Sequence, residues 1–242
     1  MQRDFSRCLG RRQLRLSRTA PIISFSFDDF PTTALINGGS ILRKFGATGT
    51  FYASFGLMGM DSPVGQIFEA GDLGDLLDAG HELGCHTFDH CHSWDTKPRE
   101  FEQSVLRNAA AVKQFLPGHA FKTLSYPLAS PRPGTKRLMS RYFQCCRGGG
   151  QTFNQEVTDL NSLKAYFIEQ SLHDPAAIRK VIDQCAANCG WLVFATHDVT
   201  PNHSRFGCSP EFFTGVVEYA SKSGALLLPL GKAFQMQTSA HI

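Results

Sequence analysis

Residues 22–54 read IISFSFDDFPTTALINGGSILRKFGATGTFYAS, and the order of their parts decides the fold. Residues 22–27 are an apolar run rich in aromatic and β-branched side chains, which predicts a strand. Residues 33–45 carry helix-like spacing and close on Gly46, and residues 48–54 form a second strand candidate. Strand, crossover helix and strand again predict that the two strands run parallel.

The same alternation continues outward. A short helix is predicted over 72–77, a strand over 81–86, and a long helix over 99–116 that stops at Pro117-Gly118. Beyond it, strands at 121–126, 143–146, 163–168, 191–196 and 225–228 interleave with helices at 136–141, 176–187 and 210–223. Such regularity predicts an α/β protein with parallel strands, either closed into a barrel or open and doubly wound. No Gly-x-Gly-x-x-Gly follows the first strand, so a dinucleotide fold loses its main support. Residues 146–159, with three consecutive glycines at 148–150, read as a long surface loop.

With 242 residues, 42% of them hydrophobic and 19% charged, the chain can build a core without disulfides or a structural metal. Disordered, collagen-like and disulfide-scaffold proteins are excluded, and no apolar run reaches the ~18 residues of a membrane helix. The formal charge of +3 is too small to argue for nucleic acid as a partner. It is also concentrated, because residues 1–20 hold six arginines against one aspartate. We therefore expect a solvated or loosely docked basic extension over 1–20 and a single catalytic domain over 21–242. Such a head allows peripheral contact with an anionic membrane or pyrophosphate group. No apolar core of a secretory signal follows it, and the eight cysteines include no Cys-x-x-Cys, so a cytoplasmic location is expected.

In barrel-type α/β proteins the reacting groups come from the carboxyl ends of strands. Three strand ends here are polar. Asp28-Asp29 closes the first strand, where adjacent side chains on an extended segment point to opposite sides. The alternative for this pair is a turn or a cap of the following helix. Four of the nine histidines crowd residues 81–92, and His86 and His90 are four apart, on one side of a helical turn, a spacing that suits two ligands of one Zn²⁺. Nine histidines give such a pair by chance about a third of the time, so position at a strand end adds weight that spacing lacks. The third is His197-Asp198 after residues 191–196, where a lone histidine is more often a packed residue than a catalyst. Two imidazoles and one carboxylate leave a coordination position for water, as a hydrolytic metal requires, with a carboxylate and a histidine to move protons.

With these residues in order, the chain resembles the polysaccharide deacetylase family from residue 21 to about residue 234. The family's Thr-Phe-Asp-Asp-Gly is similar to Ser26-Phe27-Asp28-Asp29-Phe30, which implies Asp28 as general base and Asp29 as metal ligand. His-Ser/Thr-x-x-His is similar to His86-Thr87-Phe88-Asp89-His90, implying His86 and His90 as the other ligands, and the last motif implies His197 as general acid. The implied fold is a distorted, incomplete (β/α) barrel. The implied metal is divalent, most often Zn²⁺, with Co²⁺, Ni²⁺ or Mn²⁺ as alternatives.

Departures mark where this chain differs. Phe30 replaces a glycine, and its ring is expected to narrow the groove toward small or terminal sugars. The third motif looks like Ser125-Tyr126-Pro127-Leu128, with serine where many members have the arginine that steadies the base. By resemblance the Leu128 N–H is the oxyanion donor, Tyr126 and Pro127 flank it, and Arg132 is a candidate replacement for the guanidinium. The fourth motif is not found. Asp159 is the nearest candidate for orienting His197, and an ordinary helix cap is an equal reading of it. The resemblance implies hydrolysis of N-acetyl groups on an acetylated amino sugar. Its alternatives are an O-acetyl esterase, a cyclic-amide amidohydrolase on the same fold, and a catalytically silent carbohydrate-binding descendant.

Overall fold

A computed structural model describes residues 8–239. The described strands are β1 (Gln13–Arg15), β2 (Ile22–Phe27), β3 (Thr50–Ala53), β4 (Asp61–Ser62), β5 (Gly65–Gln66) and β6 (Glu82–Cys85), followed by β7 (Thr123–Ser125), β8 (Cys145–Arg147), β9 (Val157–Asp159), β10 (Tyr166–Phe167), β11 (Trp191–Thr196) and β12 (Leu226–Leu227). The helices are α1 (Ser40–Lys44), α2 (Ala70–Asp78), α3 (Pro98–Phe115), α4 (Pro133–Met139), α5 (Pro175–Ala187), α6 (Pro210–Lys222) and α7 (Leu230–Ser239). A π-helical stretch, Ala34–Gly39, leads into α1. 3₁₀ turns follow β3 at Phe55–Leu57 and β10 at Ile168–Ser171.

The main sheet has the order β10-β11-β2-β3-β6-β7-β8, and every neighbouring pair is parallel. Strand β12 pairs with the first residues of β2, on the edge that β3 takes further along. Strands β2 and β11 are buried at every position, as parallel strands covered on both faces must be. Alternation then sorts their side chains. Phe25 and Phe27 pack toward the helices against Phe213 of α6, whereas Ser24 accepts a hydrogen bond from the Trp191 indole at 3.0 Å on the other face.

The edges β8 and β10 do not pair directly. Residues 160–165 bond to β8 through the Cys146 N–H to the Leu160 carbonyl and the Leu163 N–H to the Cys146 carbonyl, both at 2.8 Å, and then run straight into β10. One irregular segment thus bridges the gap between the two edges, which makes the fold a distorted, incomplete (β/α) barrel. At the far end, the carboxylate of Glu82 accepts hydrogen bonds from the hydroxyls of Thr123 (2.6 Å) and Thr50 (3.2 Å) and from the Gly231 N–H (2.7 Å), docking α7 beneath the strands. No apolar periodicity announces α7, because Gly231 and Gln237 occupy buried positions of that helix.

Two expectations are corrected here. Residues 12–17 are neither solvated nor loosely docked, since β1 pairs antiparallel with β9 and Leu16 is buried. Leu14 and Leu16 alternate with exposed Gln13 and Arg15, so one face packs, and on that same face the Arg12 guanidinium donates to the carbonyls of Phe143 and Gln144 after α4. Residues 1–7 lie outside the described residues. Residues 146–159 are not one long surface loop either, because they complete β8 with the buried Arg147 and supply β9.

Candidate active site

The carboxyl ends of β2, β6, β7, β8 and β11 bring the chemistry together. Pairing of β2 with β11 continues through the Asp28 N–H to the Thr196 carbonyl (2.9 Å), after which the backbone turns left-handed at Asp29 (φ 61°) and Phe30 (φ 52°). That turn, rather than an extended segment, separates the two carboxylates. It also sends Phe30 inward, where its ring is fully buried, stacked on Phe68 at 4.8 Å and tilted against Phe51. The expectation that Phe30 narrows the groove is therefore overturned.

His86 follows β6 with its Nδ1 2.9 Å from the Ser125 carbonyl oxygen. A carbonyl only accepts, so Nδ1 carries the hydrogen and Nε2 keeps a free lone pair. Burial pushes the His86 imidazole down to about 4, against the opposing pull of Asp28, and a neutral ring is what a metal ligand requires. His90 does not share a helical turn with it, because Thr87 (φ 63°) and His90 (φ 49°) are both left-handed. The loop is instead pinned to α3. Ser104 Oγ accepts from the N–H groups of Phe88 (3.0 Å) and Asp89 (3.1 Å) and donates to the Asp89 carboxylate (2.8 Å), which Arg107 also engages.

This places Asp29 Oδ1 at 3.5 Å from His86 Nε2 and 3.3 Å from His90 Nε2. The three ligand atoms lie within 4.8 Å of one another, and Asp29 Oδ1 is buried with no hydrogen-bond donor. Two imidazoles and a carboxylate, converging and otherwise unsatisfied, fit a divalent cation of the zinc type.

Asp28 is held from the other side. Ser125 donates to its Oδ1 at 3.0 Å, and the Arg147 guanidinium engages both carboxylate oxygens and the Ser125 hydroxyl. Burial alone would raise this carboxyl, but Arg147 first, with His86 and His197, outweighs burial and holds it well below the usual carboxylate range. Arg147 is register partner to Ser125, so the guanidinium comes from one strand over. Arg132 does not replace it, being engaged with the carbonyls of Trp94 and Asp95. Sequence reading missed Arg147 although it obeys the rule used elsewhere, a polar residue directly after an apolar strand.

His197 follows β11 half-buried, with Nδ1 3.3 Å from the Phe206 carbonyl and its ring against the Phe206 side chain. Asp159 does not orient it, because that carboxylate lies 2.6 Å from Lys136 Nζ and accepts from the Arg12 N–H at 3.0 Å. Glu169, in the 3₁₀ turn after β10, is a further acidic group at this end. Pairing of Phe167 with Ala195 sets it beside the strand end that carries His197. Burial pushes Glu169 up to about 7, His197 pulls the other way, and Oε2 is buried without a hydrogen-bond partner. It too was missed, and no motif in the sequence points to it.

Tyr126 and Pro127 are buried, Tyr126 against Phe101, so neither reaches a substrate. Leu128 is different, 61% exposed and left-handed (φ 59°), with its N–H unpaired among the described residues. The site thus joins a three-ligand cation cradle, a paired carboxylate, a free backbone donor and a half-buried histidine.

A family model described as polysaccharide deacetylase matches residues 16–142. No curated protein gives a significant match. Among solved structures, the chitin deacetylase of Colletotrichum lindemuthianum superposes with a TM-score of 0.64 at 16% identity, over 93% of this chain and 91% of that one. A family 4 acetyl xylan esterase from Clostridium thermocellum, in complex with a cobalt ion, gives 0.58 at 18% identity, over 89% and 91%. A family 4 pseudoenzyme from Bacillus anthracis gives 0.60 at 9% identity, over 91% and 68%. At these identities the structures establish a common fold.

Proposed function

The chain belongs to the polysaccharide deacetylase family, and on that premise we propose that it is a metal-dependent hydrolase removing N-acetyl groups from an amino-sugar glycan or glycan precursor. The observation that carries this reading is the convergence of Asp29, His86 and His90 beside an Asp28 held by Arg147 and Ser125.

Asp29 Oδ1 and the Nε2 atoms of His86 and His90 would hold the cation. When bound, such an ion polarises the acetyl carbonyl and acidifies water toward a pKa of about 7. Asp28 takes the proton from the attacking water at a carboxylate oxygen, and Arg147 keeps that carboxylate ionised and aimed. The Leu128 N–H donates to the oxygen where negative charge develops. His197 gives a proton to the departing nitrogen, with its Nδ1 held beside the Phe206 carbonyl. Acetate and a free amine leave.

The test is metal content of the purified protein together with acetate release from a chitin oligosaccharide and from an O-acetylated xylan, before and after chelation. About one zinc-type ion per chain with chelator-sensitive release from the N-acetyl substrate supports the reading. Release from the O-acetyl substrate alone replaces it with an esterase. Metal-free protein without release makes it a silent descendant. Asp28→Asn should abolish nearly all turnover while metal stays bound, and an unchanged rate would remove Asp28 from its role.

A further inference from the structure

A cavity of about 740 Å³, of the size that holds a small ligand, is walled by Arg11, β9 and the stretches 129–131 and 149–152. None of Asp28, Asp29, His86, His90 and His197 lines it. It shares two walls with the site nonetheless. Ala129 is the neighbour of Leu128, and the Phe167 ring that faces the cavity carries the Arg147 guanidinium at 5.6 Å.

Its charge is one-sided. Lys136 and Asp159 at its wall are both buried and lie within 2.6 Å of each other. Arg11 and Lys164 are exposed and have no ion-pair partner among the described residues. The backbone of Gly149 and Gly150 and the Ser162 hydroxyl add polar groups to one aromatic face, Phe167. An aromatic face among uncommitted polar groups suits a sugar ring, and two unpaired cations suit an anion attached to it.

We propose that this cavity is a subsite for an anionic saccharide unit, its carboxylate or phosphate bound by Arg11 and Lys164, flanking the unit whose acetyl group is removed. This rests on the deacetylase reading for its place in the reaction, but the binding itself does not. It also assigns a purpose to the docked N-terminal strand, which brings Arg11 to the cavity.

The experiment titrates the full chain with glucuronic acid and, separately, glucose 1-phosphate, following backbone amide shifts. It compares the wild type with Arg11→Gln/Lys164→Gln, whose exposed positions leave the fold intact, as a thermal melt verifies. Shifts at Gly149, Gly150 and Ser162 that weaken about tenfold in the double variant are expected. Tighter binding of the first ligand identifies a carboxylate and of the second a phosphate, and either outcome supports the subsite. Absence of shifts with both ligands, or equal affinity in wild type and variant, overturns it. Acetate release from neutral chitin oligosaccharide is measured alongside on the wild type. If that activity is absent while Arg11- and Lys164-dependent binding persists, the deacetylase reading fails and the anion site stands.

Discussion

Ser125 and Arg147 exchange a role across a strand boundary. An arginine in the third motif would reach the base along its own strand; here a serine clears that space and the guanidinium arrives from the neighbouring register position. Arg147→Met should strand the buried Asp28 carboxylate and cost about 3–5 kcal/mol, measured by urea unfolding. Because Arg147 lowers the Asp28 carboxyl, the same variant should move the acid limb of kcat/KM to higher pH. An acid limb that does not move would show that Asp28 is not the base being titrated. At this scale the residues that converge, Asp28, Asp29, His86 and His90, sit in short motifs that the sequence displays, whereas their supporters do not. Arg147 and Glu169 act through cross-strand neighbours, and one sequence without strand order does not reveal who those are. Phe30 failed for a related reason, since a positive φ reversed the direction of its side chain.

Elements explain why His90 stays beside Asp29. Its loop would be free to swing were it not tied to α3 by Ser104, Asp89 and Arg107. Asp89→Ala should therefore weaken metal binding about tenfold, read by competition against a chromophoric chelator, while secondary structure is unchanged. Unaltered affinity would show that the loop holds itself. His81, at the opposite end of β6, makes a separate prediction. Its Nδ1 accepts from the Gly49 N–H at 3.0 Å, and burial, with Arg43 nearby, pushes the ring down to about 4 from 6.5. The unfolded chain thus binds a proton that the folded chain refuses, so stability should fall as pH drops from about 6.5 to 4. The urea midpoint of the wild type should drop more over that range than that of His81→Gln, which keeps an acceptor but does not titrate. Most strands of the main sheet and the long helices were legible in the apolar pattern, whereas the short β4, β5 and β9 were not. The strand β1 and the helix α7 were not, because arginines and a buried glutamine mask their patterns.

For the whole molecule, the barrel is held at both ends by charge placed inside it. Arg147 anchors the catalytic end, and Glu82 anchors the far end by gathering Thr50, Thr123 and Gly231. Glu82→Ala would leave those donors without an acceptor and should cost about 2–4 kcal/mol, with α7 the first element to lose amide protection in hydrogen exchange. Protection of α7 equal to wild type would mean that packing of Leu230 and Ala233 suffices. The sheet order has a further consequence for how the protein is made. Strand β2, which leads to Asp28 and Asp29, pairs along its whole length with β11, so residue 22 waits for residue 191. On a ribosome adding about 5–20 residues per second, that edge stays open for roughly ten to thirty seconds. During synthesis the nascent chain therefore exposes an apolar ribbon, and its two carboxylates stay apart from His197 until the final quarter of the polypeptide emerges.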